Sequence, residues 1–511
     1  MADTPFKLSS VTDLTEKSAA LAASGLSTGD LRRRYDFSDR FGELALAQTP
    51  FFRLVSSLSK KPTDDPEFKF TEKRHSWMKR YAYTVGFNNG SADVFNNAQL
   101  LDNGAGAVAV GDTVILHFAT DYFSAGNIQN VQGQSNGSIK VGDVGTRPAF
   151  FLKNQIVKVP MKSTANAANS VADDYLLVQI TADPVLNTTG NITGGGGIAA
   201  AETAKCTCKV LRAGDIGTNK ELASHISDNP DAVVYNEDIA EAVENRRSYV
   251  VGNAYEEGSS LLAKTWKDNP YSTGYGRTQI FRSEFGMTNT ARATALKYEP
   301  NEWARVWKEK LIEHKWDIEQ SGLFSTQYTT AEPYTTQGAV DYVLNYGNIF
   351  EWSATKDIDS FLQDMSKYQD PRYNQDKATV FFCSTEVYTW LHKLGGFFKQ
   401  NIEVSDQFRA DLAVTGRKQV MGLDVTTIST VYGDMNVSRC IALDGSHVKI
   451  LAVNLNNVAY RPLVGNGVNR DTSIYVGVQT LENSGIDKRV DMILTEAGFE
   501  YKMPESHAIW K

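Results

Sequence analysis

The residues able to do chemistry are few in this sequence, and they do not converge. Cys206-Thr207-Cys208 places two thiols on one face of a strand, a pair that can ligate a soft metal. No second Cys or His pair at zinc spacing follows, and Cys383 and Cys440 complete a cysteine set too sparse for a disulfide scaffold. The seven histidines stand at 75, 117, 225, 314, 392, 447 and 507, with no His-Glu-x-x-His and no Gly-x-Ser-x-Gly elbow. Asp64-Asp65 and Asp173-Asp174 offer paired carboxylates, but each sits beside turn residues and reads as solvated loop. The run Gly194-Gly195-Gly196-Gly197 lacks the Lys-Ser/Thr that a phosphate loop needs and has no clear strand before it. The expectation is therefore a chain with no catalytic, cofactor-binding or metal-binding residues, and not an enzyme.

Composition narrows the partners. Hydrophobic residues make up 41% and charged residues 22% of 511, ordinary for a globular protein. Lys+Arg number 52 against Asp+Glu 60, a formal net charge of −8, so no global basic field attracts phosphate. Met1 to Lys17 is polar, and no apolar run reaches membrane-spanning length, which predicts folding in a reducing cytoplasm and no membrane partner.

What must position the surface of such a protein is its order of elements. Residues 1–34 are small and polar, an arm whose order depends on a neighbour. Thr49-Pro50 opens a short helix with Phe51, Leu54, Val55 and Leu58 on one face, closed by Lys60-Lys61-Pro62. Between Val94 and Asp231, Gly, Asn, Ser and Thr separate short β-type runs, among them Thr113–Leu116, Ile156–Val159, Tyr175–Ile180 and Cys206–Val210. That spacing predicts a small β-barrel or sandwich, inserted because helix-forming sequence flanks it. Thr273 to Phe285 reads as a polar extended stretch short of core residues, one that lies against something outside its own core. Behind it comes one long helix, opened by Pro300 and stopped by Gly322, with Trp303, Trp307, Leu311, His314 and Ile318 at steps of four, four, three and four. Arg305, Lys308, Glu309, Lys310, Glu313, Lys315, Asp317 and Glu319 are assigned to its charged surface. At about 1.5 Å per residue the rod is roughly 33 Å long. An α/β mixture follows: a helix from Asp357 to Met365, a buried strand Ala378–Phe382, a helix capped by Ser384, then strands from Val420 onward.

This order resembles the major capsid (head) proteins of tailed bacteriophages, whose shell fold is shared with encapsulins. The resemblance is carried by Thr278-Gln279-Ile280-Phe281-Arg282, Thr288-Asn289-Thr290, the charged helix Trp303 to Glu319, Ile441-Ala442-Leu443-Asp444, Tyr460-Arg461-Pro462, and the ending Leu494–Glu500 and Pro504–Ala508. It implies an α+β shell fold with an inserted β-rich domain. The implied division is 1–62 N-terminal arm, 63–93 start of the extended-loop arm, 94–231 inserted domain, 232–297 extended loop and return strand, 298–334 spine helix of a peripheral domain, 335–491 axial domain with peripheral strands, and 492–511 a last peripheral strand. Trp266, Tyr271, Tyr275, Arg277 and Arg282 become expected inter-subunit contacts, and Trp303, Trp307, Leu311 and Ile318 the packing face of the spine. The implied partners are the chain itself in hexamers and pentamers, scaffolding and portal proteins, decoration proteins, and enclosed DNA bound without sequence preference. The implied place is the virion, after synthesis in the host cytoplasm. An encapsulin-like compartment, or a β-rich binding or adhesion protein, are the alternatives.

Overall fold

The computed structural model describes residues 49–73, 80–88, 90–91, 93–94, 108–119, 148–163, 174–192, 198–212, 220–222, 247–259, 271–294, 301–353, 355–369, 371, 379–392, 412–420, 423–430 and 432–511. Helix α1 (Pro50–Leu58) starts as its sequence requires, with Thr49 before it and Pro50 in the first turn, where an N–H has no partner to lose. Phe51, Leu54 and Val55 are buried, while Leu58 in the terminal turn stays exposed. The Phe51 ring meets Phe382 at 5.7 Å and Phe499 at 5.8 Å, so this helix is built into the core. The part of the expected arm from Pro50 to Leu58 is thus internal structure.

Strand β1 (Glu67–Glu72) leads to β2 (Tyr81–Asn88), β3 (Thr113–Ala119), β4 (Gln155–Ser163), β5 (Asp174–Ile180), β6 (Ile198–Arg212) and β7 (Arg247–Asn253). These last six pair antiparallel in the order β7-β2-β3-β6-β5-β4, and β7 pairs again with β4. Among the described residues these six strands close into a ring, which makes a barrel. Alternate residues point inward along each strand: Val114, Leu116 and Phe118, then Val157, Val159 and Met161, then Cys206, Cys208 and Val210. The sequence expectation of a barrel or sandwich resolves to a barrel, but its limits of 94 and 231 were too narrow. Closure needs β2 and β7, whose tyrosines, glycines and polar residues concealed their place beside the apolar runs.

Next come β8 (Ser272–Arg277), β9 (Gln279–Thr288), α2 (Glu302–Phe324), α3 (Ala339–Tyr346), β10 (Asn348–Phe350), α4 (Ile358–Tyr368), β11 (Thr379–Cys383), β12 (Leu412–Val420), β13 (Leu423–Thr430), β14 (Gly433–Arg439), β15 (Ile450–Asn454), β16 (Val458–Pro462), β17 (Ser473–Gln479), α5 (Leu481–Ser484), β18 (Lys488–Tyr501) and β19 (Ala508–Trp510). β1 and β8 form an antiparallel ribbon. β9, β18 and β16 form a four-stranded antiparallel sheet with β17, which pairs with β18. A seven-stranded mixed sheet runs β10-β19-β15-β11-β14-β13-β12.

Four expectations are corrected here. β9 has a core after all: Phe281 and Phe285 are buried while Arg282 and Glu284 face outward, the alternation of a half-covered strand. The long helix does not stop at Gly322 but passes through it to Phe324. A Cβ there would sit 2.8 Å from the Phe499 ring and 3.1 Å from Phe51, so this glycine serves close approach and not a left-handed turn. Its start is capped by Asn301, whose side chain accepts from the Ala304 N–H; Pro300 lies outside the described residues. The helix expected to be capped by Ser384 is capped instead from a distance by Asp444, which accepts from the Thr385 N–H at 2.6 Å. Finally, 492–511 is not one strand. The chain turns at Pro504–Ser506 and places β19 inside the seven-stranded sheet, between β10 and β15.

The last of these carries much of the packing. Trp510 is fully buried among Phe350 at 4.9 Å, Tyr368 at 5.9 Å, Phe361 at 6.1 Å and Phe381 at 6.2 Å. Its indole N–H donates to Asp364 at 3.1 Å, and Lys356 closes on the same carboxylate at 2.7 Å.

Candidate assembly surface

The ribbon is held by an aromatic–glycine match. Phe68 and Phe70 of β1 face Gly276 and Gly274 of β8, and a side chain at either glycine would overlap the ring. Arg461 lies over Phe68 at 5.2 Å and Lys502 over Phe70 at 5.5 Å, while the Met503 N–H donates to Glu72 at 2.8 Å. The ribbon is therefore fixed along the side that meets the four-stranded sheet. The pattern Phe-Lys-Phe facing Gly-Tyr-Gly is present in the sequence, but only the pairing of β1 with β8 gives it meaning.

Its other side is open. Tyr271 is 66% exposed, with Lys73 over its ring at 5.2 Å, and Tyr275 is 55% exposed. Arg277, expected beside them, is turned inward: its guanidinium stacks on Tyr334 at 3.5 Å and it is half-buried. That stacking ties Arg277 to its own chain at the ribbon root. Arg282 is exposed on β9, 3.9 Å from Glu284. Trp266 lies outside the described residues. The structure thus brings Tyr271 and Tyr275 onto one face and puts Arg282 on another.

The spine stripe is packed unevenly. Ile318 and His314 are buried, but Trp303, Trp307 and Leu311 are only half covered. Trp303 rests on Phe285 at 5.0 Å, with Arg489 over it at 5.0 Å. His314 bridges helix and sheet, bonded to Ser283 and Thr495 at 2.8 Å each, and burial pulls its pKa below the ordinary value, which favours the neutral ring. Because Trp307 is only half covered, Trp307→Ala is expected to cost about 1–2 kcal/mol, below the loss for a fully buried aromatic. A loss of unfolding free energy in urea more than twice that amount would contradict the half-covered position.

Glu319 is the residue sequence reading misplaced. Assigned to the charged surface, it is fully buried and accepts from the backbone N–H groups of Phe51 at 3.0 Å and Phe52 at 2.6 Å. It caps α1 from the spine helix, and burial pushes its carboxyl up to about 7. No local signal marked it, since its partners lie 268 and 267 residues away in sequence.

The chemical candidates take structural positions. Cys206 and Cys208 are free and buried in the barrel, where burial raises both thiols. Among the described residues no group of three or more His, Cys, Asp or Glu could hold a metal, and no helix is long and apolar enough to cross a membrane.

The ribbon is thus anchored on one side and carries an open aromatic face on the other, beside a helix-on-sheet body. The sequence profile of the SU10 major capsid protein family matches residues 14–511. This chain belongs to that family. It is a structural major capsid protein of a tailed bacteriophage, with an α+β shell fold, and its place is the virion capsid. No curated protein matches the sequence significantly. Among solved structures, the SU10-family chain is similar to the capsid of cyanophage A-1(L), at 10% identity over 50% of this chain and 84% of that one, TM-score 0.35. It is also similar to the capsid of Myoviridae phage XM1, at 12% identity over 50% and 80%, TM-score 0.33. A virus-like particle from Pyrococcus furiosus is similar at 11% identity over 50% and 83%, TM-score 0.27.

Proposed function

We propose that copies of this chain close into an icosahedral head shell of hexamers and pentamers around the double-stranded DNA of the phage, and that the chain carries out no catalytic step. The observation that carries the reading is the ribbon, fixed to its own subunit along one side by Phe68 and Phe70 and bare on the other at Tyr271 and Tyr275. Exposed aromatic rings on a rigid support are the residues that most often anchor protein contacts. On this reading the ribbon and the residues between its strands are the extended loop, α2 with the four-stranded sheet is the peripheral domain, and the seven-stranded sheet is the axial domain that meets its copies. The barrel is an insertion into the extended loop. Tyr271, Tyr275 and Arg282 meet neighbouring subunits, together with Trp266. Scaffolding and portal proteins direct closure, decoration proteins bind the finished shell, and synthesis takes place in the host cytoplasm. A net charge of −8 suits a container whose wall does not hold its DNA by sequence or by strong attraction.

The test expresses the full chain, with and without the phage scaffolding protein, and looks for shells by negative-stain microscopy. Tyr271→Ser combined with Tyr275→Ser is expected to abolish shells while leaving the melting curve of the subunit unchanged. Shells at wild-type yield would remove the ribbon from the interface. A wild-type chain that stays monomeric across concentration, salt and added scaffold would sink the assembly reading.

A further inference from the structure

From Ser473 to Leu481 no residue is charged, in a chain that is 22% charged, and yet most of this stretch is exposed. Val476 is 65% exposed, and Ile474, Tyr475, Val478, Leu481 and Ile486 are exposed around it. Consecutive exposed apolar residues mean that β17 shows both of its faces as well as its outer side. Its pairing with β18 is regular only to Tyr475, then jumps from Tyr475 opposite Met492 to Gln479 opposite Val490, so Val476, Gly477 and Val478 bulge outward as a knuckle.

The knuckle is stiff. Gly477 has φ +68°, a conformation glycine adopts without strain, and its N–H donates to Asp491 at 2.7 Å. Asp491 is buried and held by two bonds from Arg489 at 3.1 Å. Asn483 donates to the carbonyls of Gly477 at 3.3 Å and Val478 at 3.1 Å, and accepts from the Thr480 N–H at 2.6 Å. The Gly477 N–H and the Gly477 and Val478 carbonyls are thus bonded within the subunit, and the side chains presented outward are apolar. Rigid apolar surface binds with little ordering cost. An exposed apolar cluster of this kind marks a contact site.

The charge pattern selects the partner. A surface that meets a different surface can carry charges matched by opposite ones, as the ribbon can with Glu67, Lys69 and Glu72. A residue near a symmetry axis meets its own copy, so any charge there repels itself. An uncharged stretch with charges resuming on either side, at Asp471 and at Glu482, fits the second case. The bulge also argues against simple strand addition along β17, since it bends the outer edge away from a straight partner. We infer that the knuckle at Val476 packs against the same knuckle of a second copy of this chain, on a symmetry axis between subunits. The inference rests on the assembly reading above and adds the contact that joins copies through their four-stranded sheets.

The test uses charge exchange in the full chain. Val476→Lys and Val476→Glu are each expected to fold normally, since the residue is exposed, and each to lower shell yield by about tenfold through like-charge contact repeated over many copies. Mixing the two variants during assembly is expected to restore shells, because lysine then meets glutamate. Val476→Cys is expected to give a covalent dimer on mild oxidation of assembled particles. The four native cysteines are buried, so the introduced thiol reacts alone. Wild-type yield from either charged variant alone, no recovery on mixing, or absence of the Val476→Cys dimer in intact shells would overturn the self-contact while leaving the assembly reading in place. A wild-type chain that never assembles would strike the assembly reading itself.

Discussion

Replacing Trp510 with alanine is expected to destabilise the subunit by about 3–5 kcal/mol, the loss that follows truncation of a fully buried aromatic. The ring touches four other aromatic side chains, and its N–H satisfies Asp364, a carboxylate whose burial already raises its pKa. Removing it opens a cavity and withdraws one of that carboxylate's donors. Because β19 lies between β10 and β15, deletion of residues 508–511 is expected to be worse still and to leave no cooperative unfolding transition. Urea denaturation followed by tryptophan fluorescence and circular dichroism would check both. A midpoint for Trp510→Ala close to wild type would mean that β19 is dispensable to the sheet.

Stability is also expected to fall as pH rises from 5 to 8 through Glu319. Its carboxyl is raised from 4.5 to about 7, so the folded state holds a proton that the unfolded state has released. The contribution is complete below the unfolded value and is lost as pH climbs through the folded one, a change of about 3 kcal/mol across the window. Burial is the first cause, and the two N–H groups of α1 oppose it by favouring the ionised form. Tyr501 and Cys440 lie close enough for the charge to act on them, and burial holds both neutral. His314 and His507 carry lowered pKa values and act in the opposite sense, losing stability as pH falls, so the comparison must be made against Glu319→Gln. The wild type is expected to lose midpoint between pH 5 and 8 relative to that variant. Parallel profiles for the two proteins would show that Glu319 does not titrate in this range.

The readings that succeeded were those where the decisive neighbours lie close along the chain. Phe51, Leu54 and Val55 recur at helical spacing and are buried together, and the short β-type runs of β3, β4, β5 and β6, set apart by Gly, Asn, Ser and Thr, mark strands of a barrel or sandwich. The helix from Trp303 to Ile318 was legible in type, but its ends were not. Gly322 has the residue type of a stop, and only the rings of Phe51 and Phe499, brought in from both ends of the chain, show that it is a gap for packing. Glu319 failed for the same reason. A charged residue reads as surface until a distant backbone arrives to receive it, and its partners here are tertiary. Tyr271 and Tyr275, exposed on the ribbon, were visible as aromatic residues in polar surroundings. The stretch from Ser473 to Leu481 read only as a strand, because exposure is not written in residue type.

The barrel shortens the loop that the ribbon has to close. Glu67 pairs with Arg277, so zipping the ribbon unaided would mean closing a loop of more than two hundred residues. Once the barrel has formed, Tyr83 and Arg247 are already opposite one another, and the two ends it emits start from neighbouring strands. What then remains to be closed is a few tens of residues, a saving in search of about 2 kcal/mol. In this geometry the barrel is a clasp: its first and last strands, β2 and β7, pair with each other and so hold the roots of the two ribbon strands side by side.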